Sequence, residues 1–154
     1  MAAARPQPSV MLYNREQYRA GVEWNMIYLI VGIGGVVGAL LRYYADHLIH
    51  MLWPSTFPIG TLFVNIAGCF ALGWLLQRAS NKGKISSYVV KGAGTGLIGS
   101  FTTFSAFSVE TVQFLRNGLW LSGILYVLLS LWGGLALAWL GTSLARRKEA
   151  IPND

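Results

Sequence analysis

Charge is what this chain has least of. Only 12% of its 154 residues are Asp, Glu, Lys or Arg, about half the share usual in a soluble domain, and those few are bunched. Taking His50 as a break, 18 uncharged residues separate Glu23 from Arg42, 27 separate His50 from Arg78, 18 separate Lys91 from Glu110 and 29 separate Arg116 from Arg146. A helix that crosses a bilayer needs about 20 mostly apolar residues, so the sequence predicts four spans in succession. A soluble bundle of buried helices would keep a polar stripe on every helix. The stretch 119–140 keeps none, holding only Ser122, Tyr126 and Ser130 among apolar residues and glycines.

Other absences narrow the function. Cys69 is the single cysteine, which excludes an intrachain disulfide and gives no sign of an oxidising compartment; it reads as a small packing residue. Acidic residues number six against twelve Lys and Arg. In a membrane protein that net positive charge reads as orientation and anionic-lipid contact, not as nucleic-acid binding. No nucleotide loop, nucleophile elbow or metalloprotease motif occurs. The glycine run 92–99 lacks the Lys-Ser/Thr ending of a phosphate loop, and His47 and His50 have no third residue at metal-ligand spacing. No pair of titratable groups is positioned for acid–base work, which argues against an enzyme.

What remains is organised simply. Residues 1–23 form a polar leader, expected to be mobile, without the pattern of a secretory signal. Residues 24–145 form a four-span domain with spans at about 24–44, 58–77, 88–115 and 119–144, and residues 146–154 form a basic, then polar, tail. Gly34 and Gly38 make a GxxxG pair that lets another helix approach closely. Arg42, near the expected end of the first span, has Tyr43, Tyr44 and Trp53 nearby, as in an aromatic belt. The third span places Gly92, Gly94, Gly96 and Gly99 just before Ser100, Thr102, Thr103 and Ser105, a poor composition for an uninterrupted helix. A break near Gly99–Thr102 would free carbonyls able to hold a cation, and non-helical backbone at that depth must be buried or line a cavity. Ten Lys and Arg fall on the side holding both termini and two on the other, so the positive-inside rule places both termini in the cytoplasm.

Several polar and aromatic residues share helical faces: Thr61 with Asn65, Tyr126 with Ser130 and Gly134, and Phe104 with Phe107. A mid-span amide such as Asn65 either glues helices together or offers a donor to a passing anion. Phe104 and Phe107 either pack as core aromatics or present their positive ring edges to an anion. Arg42 is either a snorkelling anchor or an attractive charge at an entrance. Glu110 is either an interfacial carboxylate that caps a turn or pairs with Arg116, or a vestibule residue.

Three stretches then match a known pattern: Gly34-Gly35-x-x-Gly38-Ala39-x-x-Arg42-Tyr43, Gly60-Thr61-Leu62-x-Val64-Asn65-x-x-Gly68, and Gly99-x-x-Thr102-Thr103-Phe104-Ser105-x-Phe107-Ser108-x-Glu110-Thr111. Together, over roughly residues 26–145, they resemble the Fluc (CrcB) fluoride channels. Ser100 stands where a second glycine is common in that family, and Ala106 where a hydroxyl residue is common. The resemblance implies an all-α membrane protein of four spans, the third broken near its middle, paired antiparallel into a dimer with two fluoride pores. It implies a structural sodium ion at the dimer centre, held by the carbonyls of Gly99 and Thr102. It implies a pore formed by Asn65, Phe104, Phe107, Ser105, Thr103, Tyr126, Ser130 and Thr61, with Arg42 and Glu110 at the vestibule. The implied activity is passive fluoride export across the cell membrane. A proton-coupled exporter would want a carboxylate deep in a span, and a non-transporting assembly subunit would need none of these residues. The ten-to-two charge bias sits awkwardly with a chain that must insert both ways, and suggests either an oppositely oriented partner paralogue or a homodimer in which the bias is overridden.

Overall fold

The computed structural model describes residues 8–82 and 86–147. Among them every regular element is helical. Helix α1 covers Pro8–Leu52, α2 Ile59–Lys82, α3 Ser87–Val90, a π-helical segment Lys91–Ile98, α4 Gly99–Phe101, α5 Phe104–Arg116 and α6 Trp120–Arg147. Stretches of α1 (Trp24–Leu52), α2 (Ile59–Ser80) and α6 (Trp120–Arg146) are each long and apolar enough to cross a membrane. The fourth helix of the bundle is assembled from two pieces, 87–101 and 104–116, bent at Thr102–Thr103, neither of them long enough to span a hydrocarbon core alone. The result is a four-helix bundle with one bent helix, a multi-pass membrane protein.

Burial follows from the solvent the fold expects. Tyr126 and Val64 are the only large side chains wholly buried among the described residues, while Leu29, Ile33, Leu128, Leu135 and Trp139 stand exposed. That distribution would precipitate a soluble protein. Facing lipid tails it costs nothing, and cohesion must come from close packing and hydrogen bonds.

Close packing is obtained with glycine. Along the contact of α1 with the π-helical segment, a Cβ on Gly34 would sit 2.6 Å from the Gly92 carbonyl oxygen, and one on Gly38 would run into the Leu97 carbonyl. On the other side of the bundle α2 lies against α6, where a Cβ on Gly73 would be 2.5 Å from the Ala138 carbonyl oxygen. The GxxxG pair therefore does meet another helix, and the facing surface is itself glycine-rich. Alternating Gly92, Gly94 and Gly96, all buried, remove the side-chain bulk that would resist the wider π winding. Such winding is rare and usually confined to single turns.

The bend has a local cause. Thr102 (φ −82°, ψ 158°) and Thr103 (φ −147°, ψ 121°) are extended, and Thr103 is the N-cap of α5, its hydroxyl accepting from the Ala106 N–H at 3.2 Å, as threonine is suited to do. The interruption thus falls at the C-terminal edge of the window expected from sequence. The glycines before it remain helical. At its other end α5 closes on Gly118 (φ 72°), with the Gly118 and Leu119 N–H groups returning to Leu115 and Phe114, a glycine-dependent C-cap.

Two element ends differ from expectation. Helix α1 continues past residue 44 to Leu52, and Arg42 and Asp46, within it, line one cavity together with Thr61 and Thr103. Residues 8–23, read as a leader, form the first part of α1; residues 1–7 and 148–154 lie outside the described residues.

Candidate functional site

The bend is held from outside by Asn65. Its Oδ1 accepts the Thr103 N–H at 2.7 Å and its Nδ2 donates to the Thr103 carbonyl at 2.9 Å. The pair also fixes which amide atom is oxygen, since only one orientation satisfies both partners. Asn65 is therefore helix glue, the first of the two roles open to it. One of its two amide hydrogens is still unused by this clamp. Because the Thr103 N–H points to Asn65, it does not close a helical bond onto the Gly99 carbonyl, which lies 3.4 Å from a Thr102 hydroxyl that donates at shorter range, 3.1 Å, to the Ile98 carbonyl.

Around this clamp opens a mainly apolar groove of about 480 Å³, lined among others by Asn65, Gly99, Thr102, Thr103, Phe104, Phe107 and Ser130. Seven of the residues singled out from sequence are thus brought to one wall. Phe104 is 81% exposed there and its ring lies 5.8 Å from that of Phe107. Ser130 Oγ is buried and has no hydrogen-bond partner. A helical serine usually satisfies itself on the carbonyl four residues back, as Ser108 does on Phe104 and Thr111 on Phe107.

Tyr126 and Thr61 do not line that groove. They bind Glu110: the Thr61 hydroxyl donates to Oε1 at 2.7 Å and the Tyr126 hydroxyl to Oε2 at 2.6 Å. This corrects the pairing of Glu110 with Arg116. The carboxylate lies within the bundle on the α5 face that also carries Phe107 and Phe114, where two hydroxyls reach it. The Tyr126 ring, completely buried, links this network to the groove through Phe107 at 5.2 Å and meets Phe57 at 5.5 Å and Phe114 at 6.1 Å. A file of rings thus runs from the bend to a second cavity of about 380 Å³ lined by Asp46, His50, Trp53, Phe57, Glu110 and Phe114 among others. Arg42 and Ser105 share a third cavity with Thr103 and Glu110, and Ser105 Oγ is 3.2 Å from Thr103 Oγ1. Arg42 therefore sits beside the bend, ten residues inside the end of α1.

Sequence reasoning passed over Phe57, Phe114 and Asp46, and weighed His50 only as a metal ligand. The signal for Phe114 was available, since Phe107, Glu110 and Phe114 are spaced i, i+3, i+7 on one face. Phe57 sits in the α1–α2 connection, and no periodicity could assign it.

The fold and site define a class: a polytopic helical membrane protein whose broken helix is clamped beside a polar and aromatic file. The family model described as "CrcB-like protein, Camphor Resistance (CrcB)" matches residues 29–142. The chain is 51% identical over 120 residues to "Fluoride-specific ion channel FluC 1" of Bacillus thuringiensis subsp. konkukian, covering 78% of this chain and 88% of that protein. It is 44% identical over 124 residues to "Fluoride-specific ion channel FluC 2" of Listeria monocytogenes serotype 4b, covering 79% and 92%. It is 40% identical over 121 residues to "Fluoride-specific ion channel FluC 1" of Moorella thermoacetica, covering 79% and 86%. The chain belongs to the CrcB family.

Proposed function

We propose that this chain is one subunit of a passive, fluoride-selective channel that lets the ion leave the cytoplasm and so lowers its toxicity. The observation that carries the reading is Ser130 Oγ. It is a buried hydroxyl with no protein partner, in a groove it shares with the Asn65 amide and the Phe104 and Phe107 rings. A buried polar group is normally paired; this hydroxyl, without a protein partner beside a mainly apolar, aromatic-lined groove, is one that an anion moving along the groove could use. Fluoride is small and strongly hydrated, so a selective path must replace its water with good donors and exclude larger halides by size. The hydroxyl, the spare amide hydrogen and the positive ring edges can do so. Next along the ring file, Tyr126 and Thr61 hold Glu110 by both oxygens, which keeps their hydroxyls near the path.

The groove is open in a single subunit, and Phe104 projects from it. A second copy packed antiparallel would cover Phe104 and double the pathway. Gly99 and Thr102 lie on the same groove, and two carbonyls from each of two subunits would offer a hard monovalent cation oxygen ligands. When bound, a sodium ion would supply fixed positive charge at the centre and stiffen the bend. The charge bias favours cytoplasmic termini for most copies, hence a partner chain of opposite orientation or a homodimer that overrides the bias. Labelling of a single introduced C-terminal Cys, equal from both faces, would rule out fixed topology.

Glu110 inside the bundle revives the proton-coupled exporter as a second reading. Both its oxygens are held by hydroxyls, from Thr61 and from Tyr126, which favours a static role. The test is fluoride efflux from liposomes read with a fluoride electrode. A passive channel gives efflux that is indifferent to an imposed pH gradient and reduced by Ser130→Ala. Tight vesicles would refute transport, and efflux driven by the proton gradient would favour the exporter.

A further inference from the structure

We propose that the end of the bundle carrying Arg78, Lys91 and Arg146 is a binding site for anionic phospholipid headgroups. Three contacts define that end. The Arg78 guanidinium carbon lies over the Trp74 ring, 5.5 Å from its centre, and the Lys91 ammonium lies 5.8 Å from that of Trp24. Arg146 Nε donates to Gln77 Oε1 at 3.2 Å. Each cation is thus steered by a ring or an amide, yet none of the three pairs with a carboxylate among the described residues. The acidic side chains described, Asp46 and Glu110, border the cavity at the opposite end.

Arg78 is the most constrained. Its Nε is buried without a partner and its guanidinium carbon lies over the Trp74 ring, so the terminal nitrogens are what it can present. A planar guanidinium held this way matches a phosphate with two parallel donors. The level is right as well. Trp24 and Trp74, 56% and 40% exposed, are the residue type that settles at the headgroup interface. A lipid phosphate at that depth would supply the counter-ion that the described residues do not, and each Lys or Arg at an anionic surface strengthens attraction about fivefold. The inference rests on membrane placement alone and stands apart from ion conduction.

Native mass spectrometry of the purified full-length chain, titrated with phosphatidylglycerol or phosphatidylcholine, tests it. The expected result is at least tenfold tighter retention of phosphatidylglycerol, cut about 25-fold by the double variant Arg78→Gln/Arg146→Gln, with inorganic phosphate at equal concentration failing to displace it. Equal retention of the two lipids, or an unchanged preference in the double variant, overturns the proposal. Displacement by inorganic phosphate would overturn the lipid as the source of the anion. Should the variant fail to fold, the wild type decides. Its preference must fall as salt is raised toward 1 M, and a salt-independent preference refutes the site.

Discussion

Replacing Asn65 by Ala is the most informative single perturbation. The change removes two hydrogen bonds at once, 2.7 and 2.9 Å long, both to the backbone of Thr103. An unpaired buried backbone group costs about 1–3 kcal/mol, so two would cost roughly 2–6 kcal/mol. Interhelical hydrogen bonds in membranes average nearer 0.6 kcal/mol, with a maximum of about 1.7, because the freed groups find other partners. Here such a partner is at hand, since Thr103 N–H can return to the Gly99 carbonyl and heal the helix. The expected loss is therefore about 2 kcal/mol, or roughly 4–8 °C in melting temperature for a chain of this size, together with loss of fluoride efflux because straightening turns the Gly99 carbonyl back into the helix. Thermal unfolding in detergent and liposome efflux, run on the same preparation, check both halves. Asn65→Asp provides a graded control that keeps the acceptor for Thr103 N–H and loses the donor. An Asn65→Ala protein with wild-type melting and wild-type flux would refute the clamp.

Other expectations follow from the packing. Tyr126→Phe keeps the ring contacts but removes the donor to Glu110; a hydrogen bond to a charged group contributes about 1.5–3 kcal/mol, so melting should fall by roughly 5 °C with helicity by circular dichroism unchanged. Gly38→Ala drives a Cβ into the Leu97 carbonyl with backbone on both sides and should cost about 1–3 kcal/mol or prevent folding. Gly32→Ala, with nothing within 4 Å, should be neutral or stabilise by up to about 1 kcal/mol. Gly118→Ala forces a left-handed φ on an L-residue and should cost about 1 kcal/mol without changing fluoride flux, since Gly118 lines none of the cavities of the ion path.

The sequence by itself determined the solvent and the number of crossings. Charge is too costly in a bilayer to be scattered, so its absence over four runs marks the spans whatever the packing. It also singled out Asn65 and Ser130, because polar residues inside an apolar run are few, and the family resemblance grouped them with Phe104 and Phe107. Tertiary structure alone decided what they touch. Asn65 clamps Thr103 because α2 happens to pass the bend, a contact between residues 38 apart in the chain. Glu110 lies inside the bundle because hydroxyls from α2 and α6 converge on it, which no spacing within α5 could reveal. Arg42 ended a hydropathy run yet lies within a helix that runs on to Leu52, since one charge facing a cavity between helices does not stop a helix. Periodicity reports one helix at a time. Partners for buried polar groups come from other helices, and only the assembled bundle supplies them.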